Sequence, residues 1–203
     1  MTCWAVIPVK APDACKSRLA AVLGDAARRD LVARMLDHVV GVAGDTPGID
    51  EVLLVGPSRH HLPPWIRVLD DPGRGLNAAL ASAARSAARE DVERLLFVSA
   101  DLPLLTLADL QALIDVPQGS VAIAPDRLGA GTNALSLPGR RSSDFGLRYG
   151  PGSFAAHGAE ARRLGIDLAV VHSPTLALDI DLPVDLDALR SAPQPLARPV
   201  RAA

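Results

Sequence analysis

Aromatic residues are scarce in this chain: two tryptophans, one tyrosine and three phenylalanines in 203 residues. With no Lys/Arg run and a net charge of −2, that scarcity leaves neither a stacking platform nor a basic footprint for nucleic acid. No apolar run reaches the ~18 residues that a membrane helix needs. The start, M-T-C-W-A-V-I-P, has no basic n-region and no h-region, so no export signal is read and a cytoplasmic setting is expected. Cysteine is almost absent too. Cys3 and Cys15 lack C-x-x-C spacing, which argues against zinc, and a reducing compartment would keep both as free thiols.

Lysine is the scarcest charge. Only Lys10 and Lys16 occur, and every other cationic side chain among the 21 Lys and Arg is arginine. Both lie in I-P-V-K-A-P-D-A-C-K-S-R-L, with Arg18 two residues further on. A lysine ammonium is a compact charge on a flexible stem, suited to phosphate oxygens that shift during a reaction. The segment follows a short apolar run that ends at Pro8 and Val9, so it is expected as a loop after the first strand. Loops at the carboxyl ends of strands are where open α/β sheets bind ligands, and this one is predicted to handle phosphate.

Apolar runs predict strands at 3–7, 51–55, 66–69, 94–99, 120–124, 134–137 and 168–172. Helical patterning predicts helices at 25–42, 76–89, 107–116, 153–164 and 183–190. Thr106 with Asp109 reads as an N-cap, and Gly165 as a helix stop. Such alternation implies one α/β domain over residues 1–190, with a mostly parallel central sheet and helices on both faces. From residue 191 a loose Pro/Ala/Arg tail is expected.

Two acidic segments follow apolar stretches. Asp101 comes directly after L-L-F-V-S-A, a run apolar on both faces like a buried strand. Asp179 and Asp181, in L-A-L-D-I-D-L-P, are spaced i, i+2, which sets both carboxylates on one face of an extended segment with Ile180 turned away. Three converging carboxylates would suit Mg²⁺ that bridges substrate phosphates. Taken singly, each acidic segment also reads as a turn or cap. In D-D-P-G-R-G-L-N-A-A-L, Gly75, Leu76 and Asn77 could meet a nucleotide, the Asn77 amide offering a donor and an acceptor to a purine edge. The same glycines fit a loose dinucleotide fingerprint or a plain turn before a helix. Further on, G-A-G-T-N-A-L and Y-G-P-G-S-F-A-A-H bring Thr132, Gly150 and Ser153 as a pocket for a small acid, the second loop opening a helix whose N-terminus can take an anion. His157 lies one turn beyond Ser153 and reads equally as a ligand contact or as a satisfied surface histidine. His60 and His61 have no acidic residue at ligand spacing and read as loop residues.

In this order, P-V-K-x5-K-S-R-L, D-P-G-x-G-L-N-A-A-L, S-A-D-L-P-L-L-T, A-P-D-R-x-G-x-G-T-N-A-L, Y-G-P-G-S-F-x-x-H and D-I-D-L-P-x-D-L resemble the CofC/FbiD guanylyltransferases of coenzyme F420 biosynthesis, from about Ile7 to Leu189. The resemblance implies a Rossmann-like nucleotidyltransferase domain. It implies transfer of GMP from GTP to 2-phospho-L-lactate, phosphoenolpyruvate or 3-phospho-D-glycerate, with pyrophosphate released. It assigns Pro8, Lys10, Lys16 and Arg18 to the nucleotide and its triphosphate, and Gly75, Leu76 and Asn77 to the nucleoside. Asp101, Asp179 and Asp181 match the Mg²⁺ ligands; Thr132, Gly150 and Ser153 match the acid pocket. Lys10, Lys16, Arg18 and Asp101 are the expected catalytic residues. Cys15 stands where alanine is usual, and Tyr149 where phenylalanine is usual.

A phosphate monoester is already mostly ionised near neutral pH, so its oxygen can attack without a protein base. No Ser-His-Asp or Cys-His set is then needed. Competing readings are a nucleotidyltransferase for a sugar phosphate or molybdopterin, a non-catalytic nucleotide-binding module, and a dinucleotide oxidoreductase, which leaves both lysines unexplained. The expected partners are GTP and the acid. Which acid is used, and whether the chain forms a homodimer, no residue reports.

Overall fold

The computed structural model describes residues 1–11, 16–69 and 71–192. Seven strands make one sheet: β1 (Cys3–Pro8), β2 (Glu51–Val55), β3 (Arg67–Leu69), β4 (Arg94–Val98), β5 (Val121–Pro125), β6 (Thr132–Pro138) and β7 (Leu168–Val170). Their order is β3-β2-β1-β4-β6-β5-β7, and only β6 runs antiparallel to its neighbours, β4 and β5. The reason is the connection after β5. Residues 126–131 are too few for a crossover, so the chain turns back on itself. Asp126 sets that turn, accepting the backbone N–H groups of Leu128 (3.1 Å) and Ala130 (2.8 Å) through Oδ1.

Six helices cover the sheet: α1 (Asp25–Asp45), α2 (Leu76–Arg89), α3 (Leu107–Ile114), α4 (Ser153–Arg163), α5 (Pro174–Ala177) and α6 (Pro183–Arg190). Strand alternation divides the core between the two faces. Ala5, Ile7, Leu54, Leu96 and Val98 pack with Leu36 and Val39 of α1 and Leu110 and Leu113 of α3. Trp4, Val6, Leu53, Leu95 and Phe97 pack with Leu80, Ala83 and Ala84 of α2 and Ala161 of α4. The mostly parallel sheet with helices on both faces is as the alternation predicted. The four-residue α5 was not predicted; Ser173 caps it and proline opens it. Gly165, at φ 63°, ends α4 by donating its N–H to the Arg162 carbonyl at 3.1 Å. Cys3 is buried as a free thiol whose pKa burial pushes up to about 12, so it is unreactive. Cys15 and the tail from residue 193 lie outside the described residues. No helix among the described residues is long and apolar enough to cross a membrane.

The topology decides where chemistry gathers. The carboxyl ends of β1, β4 and β5 share one edge of the sheet, and antiparallel β6 begins at that edge. The lysine segment, Asp101 and Thr132 therefore face a common space. Asp109 braces it. Its Oδ2 accepts from Thr106 N (2.9 Å), Thr106 Oγ1 (2.8 Å) and Thr175 Oγ1 (2.7 Å), tying the segment after Asp101 to the one before Asp179. Thr106→Ala should cost about 1 kcal/mol of stability, an ordinary N-cap loss. Asp109→Ala should cost about 2 kcal/mol, because donors on two segments lose the one buried carboxylate that accepts from both. Urea unfolding measures both; equal costs would show that the Thr175 bond contributes nothing.

Candidate active site

One backbone bond sets the acidic centre. Ile180 N–H donates to the Asp101 carbonyl at 3.2 Å, which lays the Asp179–Asp181 segment beside the end of β4. Ile180 is fully buried in a small core with Leu19, Met35, Leu186 and Leu189. Alternation then turns Asp179 and Asp181 together toward Asp101, as their spacing predicted. One oxygen from each of the three carboxylates lies within 4.8 Å of the others.

Two polar side chains outside this trio hold the segment. Asp185 accepts the N–H groups of Asp181 (3.0 Å) and Leu182 (2.7 Å) through Oδ2, and its Oδ1 receives Arg127 at 2.9 Å. Asn133, buried in β6, donates to the carbonyls of Leu176 (3.1 Å) and Ala177 (3.2 Å) and, more weakly, to Asp179 Oδ1 (3.4 Å). Neither was singled out in the sequence. The signal for Asn133 was an amide inside a run of strand residues that are otherwise largely apolar.

Lys16 enters this cluster. Its ammonium bonds Asp101 Oδ2 and, at 3.0 Å, Asp181 Oδ1, with the side chain only 9% exposed. Its backbone is left-handed, φ 54° and ψ 39°, which costs a non-glycine residue roughly 1 kcal/mol. Arg18 reaches Asp181 Oδ2 at 3.5 Å from a largely exposed position. Burial alone would lower the Lys16 pKa, but Asp101 and Asp181 outweigh it and hold the group above its usual value. Burial would raise Asp181, yet Lys16, Arg18 and Lys10 together keep it below the usual carboxylate range. Among the described residues no cationic side chain forms an ion pair with Asp179. Burial, then the Asp101 charge, push it up to about 6. The trio thus holds more negative charge than Lys16 balances, which is the donor set a hard divalent cation fits.

A cavity of about 710 Å³ opens from this centre, large enough for a nucleotide together with a small acid. Pro8, Lys10, Lys16, Gly75 and Leu76 all line it, as do Thr132, Gly150 and Ser153. Gly75 holds φ 88° at the start of α2, a conformation that side chains rarely adopt. Asn77 departs from the expectation. Its Nδ2 donates to the Tyr149 carbonyl at 2.9 Å and its Oδ1 accepts the Tyr149 N–H at 2.7 Å, so the amide suggested for a purine edge is engaged with the Y-G-P-G loop. The N-terminus of α4 is also less open than expected, since Phe154 N–H donates to the Ala130 carbonyl at 3.1 Å.

His157 is a correction. It is not at the surface but fully buried, bonded to Thr132 Oγ1 through Nδ1 (3.1 Å) and to the Arg148 N–H through Nε2 (2.9 Å). The Tyr149 ring packs against it in a T-shaped contact, with ring centroids 4.9 Å apart. His61 also has an acidic neighbour, Asp37 Oδ1 of α1 at 2.8 Å, distant in sequence and away from the cavity lining.

A family model described as "Guanylyl transferase CofC like" matches residues 3–190. The chain belongs to this CofC-like family. A phosphoenolpyruvate guanylyltransferase of Sphaerobacter thermophilus is 41% identical over 194 residues, covering 93% of each chain. One of Rubrobacter xylanophilus is 40% identical over 208 residues, covering 100% of each. A solved structure from Desulfovibrio desulfuricans, provisionally named a nucleotide-diphospho-sugar transferase, superposes with a TM-score of 0.79. It is 18% identical and covers 94% of this chain and 87% of its own, which speaks for the fold alone. The ordered motifs of this CofC-like chain therefore lie within the family their resemblance implied.

Burial lowers the His157 pKa to about 4, against the small opposing pull of Glu160. The unfolded chain would take up that proton near pH 6.5 while the folded one does not, so stability is complete above pH 6.5 and falls as pH drops toward 4. The loss over that window should be on the order of 3 kcal/mol. His157→Gln should flatten this part of the stability–pH curve in urea titrations; an unchanged slope would remove His157 as its source.

Proposed function

We propose that this protein is a Mg²⁺-dependent guanylyltransferase. It moves GMP from GTP onto the phosphate of a small phosphorylated three-carbon acid and releases pyrophosphate. Phosphoenolpyruvate is the acceptor we favour, on the names of the two relatives at 40–41% identity. The reaction would be a cytoplasmic step of coenzyme F420 biosynthesis. The observation that carries this reading is the excess of carboxylate over ammonium at the floor of a cavity that reaches both the lysine loop and the Thr132–Ser153 pocket.

In this reading Lys10, Lys16 and Arg18 hold the triphosphate, and Gly75 and Leu76 lie against the nucleoside. Asn77 contributes through the Tyr149 loop it grips. Asp101, Asp179 and Asp181 would hold Mg²⁺, which when bound supplies charge neutralisation at the phosphate oxygens. Thr132, Gly150 and Ser153 hold the acid. An ionised phosphate oxygen of the acceptor attacks the α-phosphorus of GTP; a new P–O bond forms as the bond to pyrophosphate breaks. No side chain has to remove a proton, because the attacking oxygen is already ionised. What the protein supplies is alignment and charge. The lysines and Arg18 stabilise the charge that grows on departing pyrophosphate.

Pyrophosphate release from GTP and Mg²⁺ tests this, with phosphoenolpyruvate, 2-phospholactate and 3-phosphoglycerate supplied separately. Release that depends on one acid supports the reading and names the acceptor. Silence with all three, in protein that still binds GTP, would sink it in favour of another acceptor. Asp101→Asn should lower turnover at least about a hundredfold with the fold intact by circular dichroism; activity near wild type would take Asp101 out of the metal site.

A further inference from the structure

His157 is fully buried and sits at the junction of three pieces of the cavity wall: Thr132 at the start of β6, the loop through Arg148 and Tyr149, and α4 behind Ser153. A backbone N–H can only donate. The Arg148 N–H points at Nε2 from 2.9 Å, so Nε2 must be the bare nitrogen. A proton on Nε2, in the other tautomer or in the imidazolium, would oppose that N–H. The ring proton is therefore on Nδ1, where it faces Thr132 Oγ1 at 3.1 Å. The hydroxyl accepts from the ring, and its own single proton has to turn elsewhere. Thr132 lines the cavity.

We propose that His157 is a positioning residue for the acceptor acid: by donating from Nδ1 to Thr132 Oγ1 it fixes the Thr132 hydroxyl as a hydrogen-bond donor aimed at the acid's anionic oxygens. This rests on the functional reading above and adds a specificity-determining residue that touches no substrate. The relay runs one way: Arg148 N–H to Nε2, Nδ1–H to Oγ1, Oγ1–H to the ligand. A threonine left free could offer its lone pairs to an anion, which repels it; this one is held to offer its proton. The T-shaped contact between the Tyr149 ring and the imidazole, and Glu160, which accepts the Gly146 N–H at 2.8 Å, hold the loop and helix so that the relay keeps its register.

A merely structural histidine predicts something different, and two substitutions separate the cases. An asparagine side chain reaches the Nδ1 position and can still donate to Thr132, but loses Arg148. A glutamine reaches the Nε2 position and can still accept from Arg148, but loses Thr132. His157→Gln should raise KM for the acid about tenfold, the worth of one hydrogen bond, with KM for GTP unchanged. His157→Asn should stay within about threefold of wild type. Thr132→Val should raise the acid KM as much as His157→Gln, and the double variant should add little to either. Long-range ¹H–¹⁵N NMR of the wild type should show the Nδ1–H tautomer at neutral pH, independently of turnover. An Nε2–H tautomer would overturn the proposal, as would Gln and Asn variants that raise both KM values alike. Wild-type protein that shows the Nδ1–H tautomer but uses no acid would instead overturn the functional reading, and the substrate role of His157 with it.

Discussion

Repulsion between Asp101, Asp179 and Asp181 is the constraint around which this end of the molecule is built. One oxygen from each is held within 4.8 Å of the others. At an effective dielectric of about 20, two unit charges at that spacing repel by roughly 3–4 kcal/mol. That exceeds what an exposed ion pair returns. The trio must therefore be imposed by interactions indifferent to its charge. The Ile180–Asp101 backbone bond, the burial of Ile180 and the Asp185 cap are of that kind. Lys16 offsets part of the repulsion, and its left-handed backbone is tolerated for that reason.

The proposed function would draw on the residual repulsion. Asp179, without a cationic partner and raised to about 6, marks where positive charge is still wanted. A site with a full complement of ammonium groups would be more stable and would have nothing left to attract a divalent cation. Relief of the same imbalance would link the carboxylates to phosphate in the proposed reaction: a cation held by them would add positive charge to the cavity that Lys10 and Lys16 line.

Much of this was legible in the sequence, and the reasons are specific. Alternation of apolar runs with helical patches gives the strands and the longer helices, because each buries a face of fixed period. The i, i+2 spacing of Asp179 and Asp181 gives their shared face, because an extended chain admits no other. Lys16 was visible as one of only two lysines. What was not legible is whatever depends on pairing across long stretches of chain. Asn77 meets Tyr149 across 72 residues, and His157 meets Thr132 across 25. Both carried the right chemistry for ligand contact, and no local pattern says that a side chain's donors and acceptors are already engaged. The reversal of β6 was legible only in hindsight, from a connection too short for a crossover.

These engaged residues divide the labour of the cavity. In the proposed reaction the charged groups that line it would act on phosphate, and charge is tolerant of small displacements. The acid pocket is different: Thr132 and Ser153 are small neutral donors, and hydrogen bonds fall off steeply with angle and distance. In that reading, discrimination among three-carbon acids of equal charge would come from such donors, which need a firmly held wall. Asn77 grips both backbone groups of Tyr149, Glu160 takes the Gly146 N–H, and His157 takes that of Arg148. Asn77, Glu160 and His157 thus pin three residues of one loop, Gly146, Arg148 and Tyr149, against α2 and α4. The phosphate side is held differently, through the Lys16 ion pairs with Asp101 and Asp181 and the burial of Leu19.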